Sequence, residues 1–356
     1  MNLVTCGTRS VQCRVNSGSA SAPVGPRRGL LPLSTPWLAA ISVMVVAAAI
    51  LASTAAKSRE WPGLAEAPAC LSHAELLRRA ALAKQLAQKA QVCLREAKLA
   101  AGIPLAPDLS PADSPWLGNE LTPLVTTLGN LEAKRFASNP DWARVLTLQL
   151  HNAGVRPGSV VAAGCSGSFP GLNLALACAC QTLGADLLAV TSVTASTWGA
   201  NQPGFTWPET EARLVRANLI RPLSIAVSLG GQDDAALDLE PSARQLARNI
   251  QEAAAAELGA TVLTPASLRD SVAQRLELYH RRAQGRRIIL YVNVGGTEAS
   301  LGDSAASFRL RSGFIPARPF DLSPGRGVIA RFAEDGVPTL SLLHVEGLAF
   351  RWGVAP

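Results

Sequence analysis

Aromatic side chains are scarce in this chain. Phe, Trp and Tyr make up 5% of 356 residues while hydrophobic residues make up 48%, so the core must be built from alanine, leucine and valine rather than from rings. Histidines number only four. The seven cysteines (Cys6, Cys13, Cys70, Cys93, Cys165, Cys178 and Cys180) are odd in number and match no zinc spacing. Cys70 and Cys93 bracket a predicted helix and would stand roughly 30 Å apart along it, too far for a disulfide. Cys178 and Cys180, two apart on another helix, point to different sides. These thiols read as small buried hydrophobes, with Cys165, inside a glycine-serine loop, as the exception. No His/Asp/Glu grouping has the spacing of a metal site. Acidic residues are missing from residues 1 to 56, which hold four of the 33 basic ones; the remainder sets 29 basic groups against 26 acidic. The net charge of +7 is therefore weakly spread, with no basic stripe interleaved with aromatics, and this argues against nucleic acid as a partner.

Charge of either sign is absent from Gly29 to Ala56. Within it, Trp37 to Ala56 gives 20 nearly uninterrupted apolar or small residues, the length of one membrane crossing. Arg9, Arg14, Arg27 and Arg28 precede it, against Lys57, Arg59 and Glu60 after it, which orients the N-terminus toward the cytoplasm. The expectation is a single-pass protein of the cytoplasmic (inner) membrane with an extracytoplasmic C-terminal domain. Two alternatives stay open: a signal peptide cut near Ser53-Thr54-Ala55, and an arginine-rich transit peptide. The expected organisation is a disordered segment 1–36, an anchor 37–56, a linker and stalk helix 57–115, and an α/β domain 116–356. Ser72-His73-Ala74-Glu75 forms a capping box that opens a long helix to about Ala101, serving as a stalk or a packing arm.

From Val160 onward a period emerges: apolar strand, polar loop, helix. Val160 to Ala163 runs into Gly164-Cys165-Ser166-Gly167-Ser168-Phe169-Pro170 and a helix ending at Gly184. Asp186 to Ser192 runs into a loop through Trp198 to Asn201. Ser224 to Leu229 meets Gly230-Gly231-Gln232-Asp233-Asp234, and Arg287 to Val294 meets Gly295-Gly296. Helices are expected over Glu209–Ala217 (with Thr206 and Glu209 as its capping box), Pro241–Leu258 and Ser267–Arg282, and a shorter helix–strand pair, Arg326–Asp335 and then Thr339–His344, closes the chain. Strands alternating with helices specify an α/β fold with a mostly parallel sheet and helices on both faces. Ligands bind such sheets beyond the carboxyl ends of the strands, where all four polar loops fall. The loop after Ala163 also leads into a helix N-terminus, which suits a phosphate or a carboxylate.

The chemistry of these loops is less specific. Gly164-Cys165-Ser166-Gly167-Ser168 nearly matches the Gly-x-Ser-x-Gly nucleophile elbow, with Ser168 in place of the last glycine. The only histidines after it are His280 and His344. The bland reading has Ser168 capping the helix and the glycines permitting the turn. Asp233 with Asp234, and Glu298 with Asp303, are acids near strand ends with the chemistry to hold a cation or to act as acid and base, and read more simply as solvated loop charges. Trp198 and Trp207 either wall the cleft or pack.

Ser166-Gly167-Ser168, Leu183-Gly184-Ala185 and Thr191-Ser192 resemble, over about 30 residues, the phosphosugar-binding loop of sugar isomerases, a likeness that supports anion binding. A broader likeness runs from about residue 70 to 302. It rests on Leu121-Thr122-Pro123, Thr126-Thr127-Leu128-Gly129, Leu131-Glu132-Ala133-Lys134-Arg135, the Gly164–Pro170 loop with Leu172-Asn173, and Ala195-Ser196 with Trp198-Gly199-Ala200-Asn201. Phe205-Thr206-Trp207, Ser228-Leu229-Gly230-Gly231 and Asn293-Val294-Gly295-Gly296 complete it. In these the chain resembles the poly-gamma-glutamate system proteins, single-anchor bacterial proteins encoded beside the machinery that makes and exports this capsule polymer. The resemblance implies an accessory role in synthesis or export, with the polymer or that machinery as partner and the membrane as location; it leaves cofactor and enzymatic status open. Loops and resemblance together nominate Thr126, Thr127, Gly164, Ser166, Gly167, Ser168, Ser196, Trp198, Asn201, Gly230, Gly231, Asn293, Gly295 and Gly296 as ligand-binding, and Ser166 and Ser168 as catalytic if the protein is an enzyme. Lys134 and Arg135 are the nearest basic pair. The alternatives are a serine-dependent γ-glutamyl hydrolase or amidase, and a phosphosugar- or nucleotide-binding protein of the envelope.

Overall fold

A computed structural model describes residues 71–103, 115–302, 310–317 and 327–355. The first element, α1 (His73–Ala100), begins where the Ser72 side chain accepts the Glu75 N–H, half of the expected capping box. Glu75 turns its own carboxylate to Arg78 and Arg79 instead. Ala80, Ala83, Ala87, Ala90 and Leu94 are buried at spacings of three and four, a stripe so narrow that the helix lies close against its neighbours. It is the packing arm of the two roles expected for it, seated in the core.

After α1 come β1 (Val125–Thr127), α2 (Leu131–Ser138) and α3 (Asp141–Asn152), and then the alternating units. These are β2 (Val160–Cys165), α4 (Pro170–Leu183), β3 (Asp186–Ser192), β4 (Ala195–Ser196), α5 (Trp207–Arg216) and β5 (Ser224–Ser228), followed by a 3-10 turn at Gln232–Asp234. The chain continues through α6 (Pro241–Leu258), β6 (Thr261–Val262), α7 (Leu268–Ala283), β7 (Ile288–Val294) and α8 (Glu298–Leu301). It closes with β8 (Gly313–Ile315), α9 (Val328–Glu334), β9 (Thr339–Leu342) and α10 (Val345–Trp352). Seven strands form one sheet in the order β6-β5-β3-β2-β7-β9-β8, and β1 pairs β4 separately. Every pair in the large sheet is parallel except β8 with β9.

Burial follows the pleat. On β2, Val161, Ala163 and Cys165 belong to one apolar cluster, with α1, α3 and α4. Val160 and Ala162 belong to another, with Tyr279, Tyr291 and Phe332. Both faces of the sheet are therefore covered, which is why its central strands read as unbroken apolar runs. The few aromatics sit where they fill most: Trp142 is fully buried and donates its indole N–H to the Phe136 carbonyl at 2.7 Å.

The expected transmembrane element is corrected. No helix among the described residues is long and apolar enough to cross a membrane. The longest, α1, carries Arg78, Arg79, Lys84, Lys89, Arg95 and Lys98, charges that the hydrocarbon of a bilayer opposes. Residues 37–56 lie outside the described residues, as do 1–36, and the reading of a single-pass inner-membrane protein is withdrawn. What stands is an α/β fold with a mostly parallel sheet.

Candidate functional site

The chain leaves β2 in one direction toward β3 and reaches β7 on its other side, so the strand order reverses between β2 and β7. Beyond their carboxyl ends lies the crevice that such a reversal opens. It holds a cavity of about 330 Å³, lined among others by Ser166, Ser168 and Phe169 after β2 and by Ser192, Thr194 and Ser196 after β3. Gly231 and Gln232 follow β5, Gly296, Thr297 and Glu298 follow β7, and Thr126 to Asn130 with Ala133 and Lys134 close the remaining side. All four strand-end loops thus reach one cavity. A second cavity of similar volume opens at the amino ends of β3 and β5, beside the Asp186–Arg286 pair; none of the nominated residues reaches it.

Of the nominated residues, Thr126, Thr127, Ser166, Ser168, Ser196, Gly231 and Gly296 line the cleft. The others build its walls. Gly164 is a strand residue, where a Cβ would come within 2.4 Å of the Tyr291 hydroxyl, so it serves packing rather than a ligand. Gly167 passes the Thr194 carbonyl, which a Cβ would meet at 2.7 Å. Trp198 and Asn201 fasten the 119 loop: the Trp198 N–H and the Asn201 Nδ2 both donate to the Asn119 carbonyl. Gly230, with a φ of +78°, lies against Ser192 and Thr194. Asn293 donates its Nδ2 to the Gly295 carbonyl at 2.8 Å. Gly295 has a φ of +86° and faces Ser166. Trp207 is fully buried and does not wall the cleft.

Two expectations about the loop after β2 fail on geometry. Ser168 does not cap α4; Phe169 holds the N-cap position without a side-chain hydrogen bond, and the Ser168 hydroxyl instead accepts the Ser196 N–H at 3.0 Å. No elbow–histidine pair forms either. No histidine lines the cleft, and His344 lines a separate hollow beside Ser312.

The acids are spoken for. Asp234 is buried against Arg275 at 2.7 Å, and Ser271 and Ser228 complete that cluster; it ties the turn after β5 to α7. The Asp233 N–H donates to Glu298 and the Gln232 N–H to Asp238, so both cleft carboxylates fasten the same turn. Asp303 lies outside the described residues.

Lys134 is the group whose importance the sequence understated. It projects from α2 into the cleft wall and is 3% exposed. Its Nζ donates to the Ser168 carbonyl at 2.5 Å, lies 2.7 Å from the Ser196 hydroxyl, and stands 3.9 Å from the centre of the Phe169 ring. No carboxylate among the described residues pairs with it. Burial pulls its pKa down to about 7, because an ammonium taken out of water loses hydration that two neutral oxygens only partly replace. Arg135, its neighbour, points to the surface and pairs with Glu132. A lysine four residues past the N-cap Asn130 looks like any surface helix charge; only the fold turns it inward.

Searches of protein-family models, curated proteins and solved structures find no match for this chain. The cleft must therefore be read from its own chemistry. It offers hydroxyls, one amine poised between two charge states, and two carboxylates already held by backbone N–H groups.

Proposed function

We propose that this protein binds γ-linked glutamate chains as an accessory component of their synthesis or export, holding a side carboxylate against Lys134. The observation that carries this reading is the cleft-wall amine, which pairs with no carboxylate among the described residues. An incoming carboxylate would supply the missing counter-charge in a poorly solvated place, where such a bond is stronger than at the surface. A cavity of about 330 Å³ lies at the small end of ligand pockets and fits a short segment of polymer. Two of the stretches on which the resemblance to the poly-gamma-glutamate system proteins rests contribute to the lining of this cavity, through Thr126 to Gly129 and through Ser166, Ser168 and Phe169.

Calorimetric titration of the full chain with oligo-γ-glutamate, free glutamate and a sugar phosphate tests the reading. Saturable binding of oligo-γ-glutamate is expected, at least tenfold weaker in Lys134→Met. The bound carboxylate favours the ammonium, so binding at pH 8 is accompanied by proton uptake, seen as a dependence of the heat on the buffer's ionisation enthalpy. Binding of the sugar phosphate alone would move the assignment to a phosphosugar, and no binding of either anion would remove it.

A further inference from the structure

The four serines of the cleft are chemically unequal. The Ser166 hydroxyl accepts the Ser168 N–H at 3.1 Å, the Ser168 hydroxyl accepts the Ser196 N–H, and the Ser192 hydroxyl accepts the Gly167 N–H. Each of these three fastens the backbone of a neighbouring turn. The Ser196 hydroxyl alone among them meets a group able to take its proton: the Lys134 amine at 2.7 Å. Ser196 lines the same cleft at 5% exposure.

The geometry points to Ser196 and Lys134 as a serine–lysine nucleophilic dyad, with Ser196 as the acyl acceptor for an amide or ester substrate. A lysine can activate a serine only when it is neutral and held in place. As the ammonium, Nζ donates to both the Ser168 carbonyl and the Ser196 hydroxyl; once neutral it keeps the bond to the carbonyl and turns its lone pair to the Ser196 O–H across the same 2.7 Å. Burial keeps the neutral form populated near pH 7. When the amine takes the proton, the Phe169 ring face beneath it offers a cation–π contact that the neutral form lacks. Room for the pair is made by Gly129, where a Cβ would stand 2.9 Å from the Ser196 hydroxyl oxygen and 3.1 Å from the Lys134 Cε. The ionisable groups facing this amine are few: Asp238 and Glu298 across the cleft, and on its own helix Glu132 and Arg135, paired at the surface.

The reaction balances without a cofactor. Ser196 Oγ attacks the carbonyl carbon as its proton passes to Lys134 Nζ. The ammonium then protonates the leaving amine nitrogen, the C–N bond breaks, and an ester on Ser196 remains. Water, giving its proton to Lys134, attacks that ester; the C–O bond breaks and the proton returns to Ser196 Oγ, leaving a carboxylic acid and an amine. α4 starts at Pro170, directly after the cleft-lining Ser168 and Phe169, so the positive end of its dipole lies at this wall of the cleft.

The dyad uses the neutral amine and carboxylate binding uses the ammonium, so a carboxylate seated on Lys134 would silence the dyad; the test needs no polymer, so either reading can fail without the other. The full chain is incubated with a fluorophosphonate probe from pH 6 to 10, and the labelled residue is mapped by peptide mass spectrometry. Labelling is expected on Ser196, accelerating with pH and levelling above about 7. It should vanish in Ser196→Ala and slow at least about 100-fold in Lys134→Arg, whose guanidinium keeps charge and donors but takes no proton. Melting curves show whether each variant is folded. If Lys134→Arg does not fold, the wild-type pH profile and the mapped site decide alone. A label on another serine, a rate without the rise toward pH 7, or no label on the folded wild-type chain would each overturn the dyad.

Discussion

Replacing Lys134 by methionine should reverse part of the pH dependence of this protein's stability. The amine has an ordinary pKa of 10.5 in the unfolded chain and about 7 in the fold. Below pH 7 both states carry the proton, and the folded state bears the full cost of a buried ammonium. Between about pH 7 and 10.5 the unfolded chain keeps a proton that the folded chain has released. Stability therefore rises with pH through that window, at about 1.4 kcal/mol per pH unit. From pH 6 to pH 9 the gain attributable to this amine is about 3 kcal/mol. Methionine has similar length and no charge, so the variant lacks that gain. Lys98, held at about 8 by burial, adds a rise of its own at higher pH. The buried thiols and tyrosines oppose it, because the unfolded chain loses those protons first. All of these are present in both proteins and cancel in the comparison. Urea unfolding of wild type and Lys134→Met at pH 6 and pH 9 measures the difference. The variant should be relatively more stable at pH 6, and the stability gap should shift by about 3 kcal/mol between the two conditions. A shift under about 1 kcal/mol would mean that the amine remains solvated in the fold, and would undercut both the anion anchor and the serine dyad.

Gly129→Ala tests whether the 126–130 segment has to pass this close. Its Cβ would lie 2.8 Å from the Thr197 carbonyl and 2.9 Å from the Ser196 hydroxyl, so serine labelling and oligo-γ-glutamate binding should both fall while unfolding stays cooperative; unchanged labelling would show that the segment gives way freely. Arg275→Met leaves the Asp234 carboxylate buried with only Ser271 beside it, and should cost about 3–5 kcal/mol in urea unfolding. The double variant Arg275→Met/Asp234→Leu should recover much of that loss, and a double variant no more stable than the single one would contradict the ion-pair account.

Much of the fold was legible in the chain because its parts are local. Apolar runs of four to seven residues ending on Gly or Ser located β2, β3, β5 and β7 to within a residue or two, and Pro241 with Gly259 bounded α6. Thr206 and Glu209, three apart, form the capping box that opens α5. The short elements were not legible. β1 and β4 pair only because Val125 and Ala195 are brought together across 70 positions, and β6, two residues long, exists by virtue of its edge against β5. The expected helix cap at Ser168 failed for a related reason. Its hydroxyl accepts the backbone N–H of Ser196, distant in sequence, and none at the start of α4.

The cleft divides along the same line. That four polar loops would gather at one end of a parallel sheet follows from the alternation of strand and helix, since each strand in such a sheet points the same way. Which of their residues face inward does not follow. Seven of the nominated residues line the cavity and seven build its walls, because a loop's glycines and amides are used first to pack neighbouring turns and to satisfy their backbone groups. The chemistry of Lys134 belongs wholly to the tertiary structure. As a residue it is a charged position on a short helix with a pKa near 10.5. Only when α2 docks against the loops after β2 and β3 does it lose water, gain Ser196 as a partner and become a group that changes charge near neutral pH. Sequence alone determined the α/β alternation and where the loops meet. Desolvation, which depends on every surrounding atom at once, was decided by the fold.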